Sequence, residues 1–189
     1  MVVADVAGKG LASAMIASSF RSAFRAIAGT GLPLHELAGR LGQLHWAEGG
    51  EARRRYVTAA FLRLDHRNNT LEVVNAGHNP VLLVYPDGST RLFNSSAPPL
   101  GILSGLVYET ESADFPPGAR LLAFTDGLTE VTQGEEEFGE ERLFSTFARL
   151  PFVSGDGLLE DIWQELAAFS SEPGQRDDMT ALALCRLDN

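Results

Sequence analysis

The chain has 189 residues, a length that fits one domain with a sizeable hydrophobic core. It carries 15 Lys and Arg against 25 Asp and Glu, and the net charge of −10 disfavours nucleic acid or an anionic membrane surface as a partner. No stretch of the sequence approaches the roughly 20 apolar residues of a membrane span. The single cysteine, Cys185, excludes an internal disulfide framework and fits a reducing compartment, so we expect a cytoplasmic protein.

The first predicted elements are a short strand and two helices. The apolar residues 2–4 are typical of a strand, and a glycine-rich turn at residues 7–10 follows them. From Leu11 onward, apolar residues recur at helical spacing until two glycines interrupt the pattern. A second helix is predicted from Pro33 to about Trp46, because proline is favoured at the first helical position.

Extended segments joined by turns occupy the middle of the chain. Because the turns between the first three are tight, they predict an antiparallel sheet that the later segments continue. The segments are residues 56–65, 70–77, 80–93, 106–115 and 120–127. Helices at about 140–150 and 157–169 and a closing strand at 179–187 complete a pattern that indicates an α+β layered domain.

Aspartates occur at three places where a predicted strand meets a turn: Asp5, Asp126 and the pair Asp177-Asp178. Each lies beside an apolar strand end, where an unpaired charge is costly, and we expect all of these carboxylates to lie on the buried side. Mg²⁺ and Mn²⁺ prefer oxygen ligands, and two such ions about 4 Å apart can hold a phosphoryl group for attack by a bridging hydroxide. The alternative is that each aspartate caps a turn through its own side chain.

Five sequence blocks, in this order, resemble a known family. They are DVAGKGLASAM, VNAGHNPVLLV, PPLGI, FTDGLTE and RDDMTALAL, and the match extends over nearly the whole chain. The set is similar to the bacterial PPM/PP2C-type serine/threonine phosphatases of the SpoIIE and RsbU type. The resemblance implies a four-layer αββα sandwich of two antiparallel sheets flanked by helices. It also implies two Mn²⁺ or Mg²⁺ ions and hydrolysis of phosphoserine or phosphothreonine by metal-activated water.

The resemblance also implies roles for individual residues. The carboxylate of Asp5 is expected to bridge both ions, and the carbonyl of Val6 to bind one of them. Asp126 and Asp177 are expected to bind the second ion. Asp178 occupies the neighbouring place, where it acts through water or orients its neighbour, and the sequence leaves open which of the pair binds metal.

Other polar residues are assigned less specific roles. Lys9 is either a phosphate contact or a solvent-facing charge at the start of a helix. His78, within NAGHNP, is expected to be a structural, hydrogen-bonding histidine, and Cys185 a core thiol. The glutamates at 135–137 and 140–141 are expected to form a solvated helix start.

The chain departs from the family at its beginning. Family members normally carry an upstream strand with a GGD-type segment whose aspartate contributes to the metal centre. We therefore expect residues 1–189 to be an N-terminally truncated phosphatase domain that binds metal weakly or pairs with a second copy in a homodimer. The expected substrate is a phosphorylated protein of the anti-sigma-factor-antagonist type. The alternative is a catalytically weak regulatory module that binds protein.

Overall fold

The structure is a computed structural model that describes residues 1–50, 54–151, 154–170 and 178–187. Among these, the helices are α1 (Leu11–Ile27), α2 (Leu34–Glu48), α3 (Gly139–Arg149) and α4 (Gly155–Phe169). The strands are β1 (Val2–Val6), β2 (Val57–Asp65), β3 (Thr70–Ala76), β4 (Val81–Val84), β5 (Thr90–Phe93), β6 (Glu111–Asp114), β7 (Arg120–Phe124), β8 (Thr132–Gln133), β9 (Glu136–Glu137) and β10 (Ala181–Cys185). The chain divides into two compact units.

The first unit comprises Met1–His78 and Phe93–Ala113. Its sheet has the strand order β1-β2-β3-β6, and β2 pairs antiparallel with both β1 and β3. Helices α1 and α2 bury one apolar face each, because their apolar residues recur every three to four positions. Phe20 of α1 and Leu41 of α2 belong to the same buried cluster as Phe61 of β2.

The second unit comprises Asn79–Leu92 and Asp114–Asn189. Its sheet has the order β10-β7-β4-β5, and all residues of β4 and β7 are buried. Helices α3 and α4 supply the rest of this core. The cluster includes Leu82, Leu122 and Phe124 from the sheet and Leu143, Phe147, Leu158 and Ile162 from the helices.

The predicted α+β class is confirmed, but the expectation that the middle strands continue one sheet is wrong. Strand β3 belongs to the first sheet, whereas β4 pairs antiparallel with β7 in the second. The chain leaves the first sheet at Gly77, whose φ is +68° and where a Cβ would lie 2.5 Å from the Pro99 ring. A side chain at this position would therefore be unfavourable for two reasons: the positive φ and the clash with Pro99.

Two local predictions are also corrected. The glutamates at 135–137 do not start a helix: Glu136 and Glu137 form β9, which pairs with β8, and Glu136 forms an ion pair with Arg142 at 2.6 Å. Within the predicted strand at 106–115, only Glu111–Asp114 is extended in a sheet. No helix in the part of the chain that the structure describes is long and apolar enough to cross a membrane.

Replacing Tyr108 by Phe is expected to stabilise the protein. The side chain is 2% exposed, and its hydroxyl finds no hydrogen-bond partner among the described residues. Burial also raises the pKa of Tyr108 to about 12. Removing an unsatisfied hydroxyl should add about 1 kcal/mol to the free energy of unfolding, or about 2–4 °C in Tm.

The pKa shift of Tyr108 supplies a second readout for the same variant. Its folded pKa exceeds the unfolded value near 10, so between pH 10 and about 12 the unfolded state loses the phenolic proton first and the free energy of unfolding falls as pH rises. Tyr108→Phe should show less alkaline destabilisation in that window by thermal denaturation. A lower Tm at pH 7 would show that the hydroxyl is satisfied.

Candidate metal centre

The turn that carries Asp126 is held against the segment that carries Asp178. Strand β7 is followed directly by Thr125, whose backbone N–H donates to the carbonyl oxygen of Thr180 at 2.9 Å. In return, the N–H of Thr180 donates to Thr125 Oγ1 at 2.9 Å, and that hydroxyl also donates to the Asp178 carbonyl oxygen at 3.4 Å. These bonds extend the pairing of β7 with β10 beyond the strand ends and bring two acidic positions side by side.

Gly127 shows how closely the two segments approach. A Cβ at this position would lie 2.5 Å from the carbonyl oxygen of Asp178, which is backbone and cannot rotate away. In the sequence Thr125-Asp126-Gly127, the first residue bonds to the second acidic segment, the second carries the carboxylate, and the third leaves room for the close approach. Only a glycine fits here without displacing the second acidic segment.

The carboxylate of Asp126 does not stabilise the turn in which the residue lies. A 3-10 helix at Asp126–Leu128 is closed by main-chain bonds, in which the Asp126 carbonyl accepts N–H groups from Thr129 at 2.8 Å and Glu130 at 2.9 Å. Among the described residues none forms a hydrogen bond with the carboxylate itself, and Asp126 is half-buried. The alternative that this aspartate is a turn cap is therefore not supported.

In the first unit, Asp5 lies on β1 opposite Thr58 of β2. The Asp5 side chain is exposed and Val6 is half-buried. The chain then turns through Gly8 and Gly10, each with φ of +87°, which confirms the tight glycine turn expected from the sequence. Lys9, between them, is exposed.

His78 is held by its own loop and by β2. His78 is 5% exposed, and its backbone N–H donates to Asn75 Oδ1 at 2.9 Å. Its ring nitrogen Nδ1 lies 2.9 Å from Thr58 Oγ1. The Asn75 amide in turn donates to the carbonyl oxygen of Phe93 at 3.2 Å. This geometry agrees with the structural role expected for His78.

Two residues of this region have no motif that would have revealed them. Thr58 faces both Asp5 and His78, and Arg55 reaches the turn after β1 with its guanidinium. Neither stands in a block that resembles the family. The antiparallel register of β1 with β2 places Thr58 opposite Asp5, and a backbone hydrogen bond from Ala7 to Tyr56 continues the contact to the residues just before β2.

The predicted site residues divide between the two units. Asp5 and Val6 lie in the first, Asp126 and Asp178 in the second, and Asp177 lies outside the described residues. Asp5 and Asp178 are exposed, so the expectation that all the aspartates face a buried strand end is wrong for these two.

The donors that the structure does describe suit a hard cation. Asp126 and Asp178 carry carboxylate oxygens, and neither histidine nor cysteine lies in the described parts of their segments. Oxygen-only sites suit Mg²⁺ and Mn²⁺, so the residues fit the implied ions. Across the described ranges no group of three His, Cys, Asp or Glu side chains forms a metal cluster, and the complete ligand set therefore stays a prediction.

Cys185 lies on β10 and is half-buried, opposite Arg120 of β7. Burial raises the pKa of its thiol, which keeps it protonated at neutral pH. This environment is that of a structural thiol, as expected, and gives it no nucleophilic role.

The elements described so far define a class of protein. Two antiparallel sheets, each packed against helices, with acidic turns at strand ends, are the architecture of PP2C-type phosphatase domains. The chain belongs to the stage II sporulation protein E (SpoIIE) family, whose model matches residues 1–187. The family resemblance expected from the five sequence blocks is confirmed.

Individual relatives agree with this assignment. The chain is 32% identical to the phosphoserine phosphatase RsbP of Bacillus subtilis over 136 residues, which are 70% of this chain and 33% of RsbP. It is similar to the structure of the RsbU and RsbW domains of Rv1364c from Mycobacterium tuberculosis, with a TM-score of 0.77 and 28% identity, covering 98% of this chain and 51% of that one.

The fold is shared more widely. The SiaA-PP2C domain of Pseudomonas aeruginosa has a TM-score of 0.82 at 23% identity, covering 99% of this chain and 75% of that domain's chain. The chain thus spans about a third of the length of RsbP and about half of the Rv1364c chain.

Proposed function

We propose that this domain hydrolyses phosphoserine or phosphothreonine on a protein substrate, in a reaction that depends on Mn²⁺ or Mg²⁺. The observation that carries the proposal is the Asp126 turn. Main-chain hydrogen bonds already close this turn, so the Asp126 carboxylate is not needed to stabilise it. The turn packs through Gly127 against the segment that carries Asp178. An oxygen donor presented in this way, in a chain of the SpoIIE family, supports a metal-dependent phosphatase.

The residues proposed to hold the ions are those that the sequence predicts. Asp126, with Asp177 or Asp178, would bind one ion, and the support is the pairing of the two acidic segments. Asp5 and the carbonyl of Val6 are proposed as ligands on the family resemblance. When bound, two such ions would make a water nucleophilic near neutral pH and polarise the phosphoryl oxygens.

The chain's own side chains provide the rest of the proposed chemistry. The negative charge of the ligand carboxylates would be offset by the bound ions, which would let a phosphate dianion approach a domain of net charge −10. Exposure of Lys9 keeps both of its predicted roles open, as a phosphate contact or as a solvated charge.

We propose a phosphorylated protein of the anti-sigma-factor-antagonist type as the substrate. The support is the relatives: RsbP is described as a phosphoserine phosphatase, and the Rv1364c structure joins an RsbU domain to an RsbW domain. The proposed reaction releases inorganic phosphate and leaves the serine or threonine hydroxyl intact, without a covalent intermediate.

A weakly catalytic, protein-binding module is the second candidate. It is favoured by the exposure of Asp5 and Asp178. The same fold would then present the helices and loops to a partner without turnover.

Phosphate release separates the two candidates. We expect the chain to release phosphate from a phosphoserine peptide when Mn²⁺ is present, and to lose this activity when EDTA is added and regain it with excess Mn²⁺. A phosphotyrosine peptide is the control for the class of substrate. Turnover no greater than that of Mn²⁺ in buffer would favour the binding module.

A further inference from the structure

The glycine turn after β1 is held from outside by Arg55, which lies just before β2. Its Nη1 donates to Ser13 Oγ at 3.1 Å and lies 3.5 Å from the carbonyl oxygen of Ala7. A Cβ at Gly8 would lie 2.1 Å from the same nitrogen. The guanidinium therefore occupies the space against the turn that a side chain at residue 8 would need.

The backbone of Arg55 is fixed by a buried histidine. His45 of α2 is 5% exposed, and its Nε2 lies 2.8 Å from the Arg55 carbonyl oxygen. Because a carbonyl oxygen only accepts, this ring nitrogen carries the proton and donates it. The bond ties the last turn of α2 to the residue whose side chain grips the glycine turn.

The PPLGI block, in turn, packs against the His45 ring. Gly101 has φ of +79°, and a Cβ there would lie 2.0 Å from Cδ2 of the His45 ring. The preceding Leu100 exchanges two backbone hydrogen bonds with Val57, at 2.8 and 3.1 Å. These contacts give the block a physical role that its sequence alone did not reveal: it packs Gly101 against His45.

Helix α1 needs this support because its own start is weakly capped. Its N-cap, Gly10, has no side chain to accept a hydrogen bond, and the first turn contains no acidic residue. Such a start leaves backbone N–H groups without the usual partners and frays easily. Ser13, held by Arg55, is in this first turn, so the contact fixes the helix start together with the turn.

We propose that Arg55 is a positioning residue, which, supported by His45 and Gly101, holds the turn that follows Asp5 and Val6 in place for metal binding. Its consequence for catalysis rests on the proposed function. The positive charge of Arg55 has the opposite effect on metal affinity, because a cation near a divalent site repels the ion. The two effects can be separated, since Lys keeps the charge of Arg and lacks its planar fork.

The test compares Arg55→Lys and Arg55→Gln with Arg54→Gln, which removes the same charge from the neighbouring exposed position. Arg55→Lys should raise the Mn²⁺ concentration for half-maximal activity about tenfold, with kcat at saturating Mn²⁺ and KM for a phosphoserine peptide little changed. Arg55→Gln should raise it less, because the lost repulsion offsets the lost positioning. Arg54→Gln should stay near wild type.

A second readout needs no activity. In metal-free protein, amides of residues 7–13 should exchange with deuterium about fivefold faster in Arg55→Lys than in wild type. His45→Phe should have the same effect, and His45→Gln, which retains a donor near the same place, should restore protection.

The outcomes are separable. Unchanged exchange at residues 7–13 in both Arg55 variants, or an equal effect of Arg54→Gln, would overturn the positioning role. Failure of the proposed function would appear instead as absence of Mn²⁺-dependent phosphate release in the wild type, and the exchange measurement would still decide the role of Arg55.

Discussion

Asp126→Asn is expected to lower Mn²⁺-dependent phosphate release from a phosphoserine peptide by a hundredfold or more. Loss of a residue that only orients a metal ligand typically costs about 10–100-fold, and loss of a ligand carboxylate should cost at least as much. Asparagine has nearly the same shape but no charge, so it is a poor ligand for a hard divalent ion.

The substitution should leave the fold intact. The bonds that close the turn use the Asp126 carbonyl, and within the described residues its carboxylate makes no hydrogen bond. Glu130→Gln, which removes one exposed charge four residues away, is the matched control and should retain activity. If Asp126→Asn turned over normally with an unchanged Mn²⁺ requirement, Asp126 would not be a ligand.

Gly127→Ala is expected to damage both stability and metal binding. The new Cβ would lie 2.5 Å from the Asp178 carbonyl oxygen, so one of the two acidic segments must move. Overpacking of this kind typically costs about 1–3 kcal/mol. Because the displaced segment is the one that pairs with the Asp126 turn, the Mn²⁺ concentration for half-maximal activity should rise about tenfold.

Chemical denaturation and Mn²⁺ titration of activity measure the two effects separately. Gly29→Ala is the control, since nothing lies within 4 Å of a Cβ at that position. It should change the free energy of unfolding by less than about 0.5 kcal/mol. A Gly127→Ala protein as stable as wild type, with the same Mn²⁺ requirement, would show that the two acidic segments are not held together as described.

The helices could be predicted from the sequence because their signals are local. The stripe of apolar residues in α1 and the proline before α2 place both helices within about two residues of their observed ends. The glutamates at 135–137 were misassigned because charge at a helix start resembles charge in an exposed hairpin, and only pairing with β8 distinguishes the two.

The division of the strands between two sheets could not be predicted in the same way. A turn signal shows that the chain reverses, but it does not show with which strand the next segment pairs. At Gly77 the outcome depends on Pro99, more than twenty residues later in the chain, which leaves no room for a side chain. Non-local pairing of this kind is not encoded in hydrophobic periodicity.

Some residues of the candidate site can be singled out from the sequence, and others cannot. Asp126 stands in a motif that the sequence alone singles out, and its role as a metal ligand stays a prediction. Arg55 makes its contact with Ala7 across 48 residues, and a lone arginine before a strand gives no signal of that contact. The exposure of Asp5 was missed because an aspartate in an apolar strand resembles a buried one.

We propose that aspartates distant in the sequence hold the divalent ions. A crystal structure of this chain grown with MnCl₂, with anomalous diffraction collected at the manganese edge, tests it most directly. We predict two anomalous peaks with carboxylate oxygens of Asp5, Asp126 and Asp177 or Asp178 about 2.0–2.3 Å away. No anomalous peak at Asp126 at a saturating MnCl₂ concentration, or manganese bound only to other residues, would show that these aspartates are not the ligands.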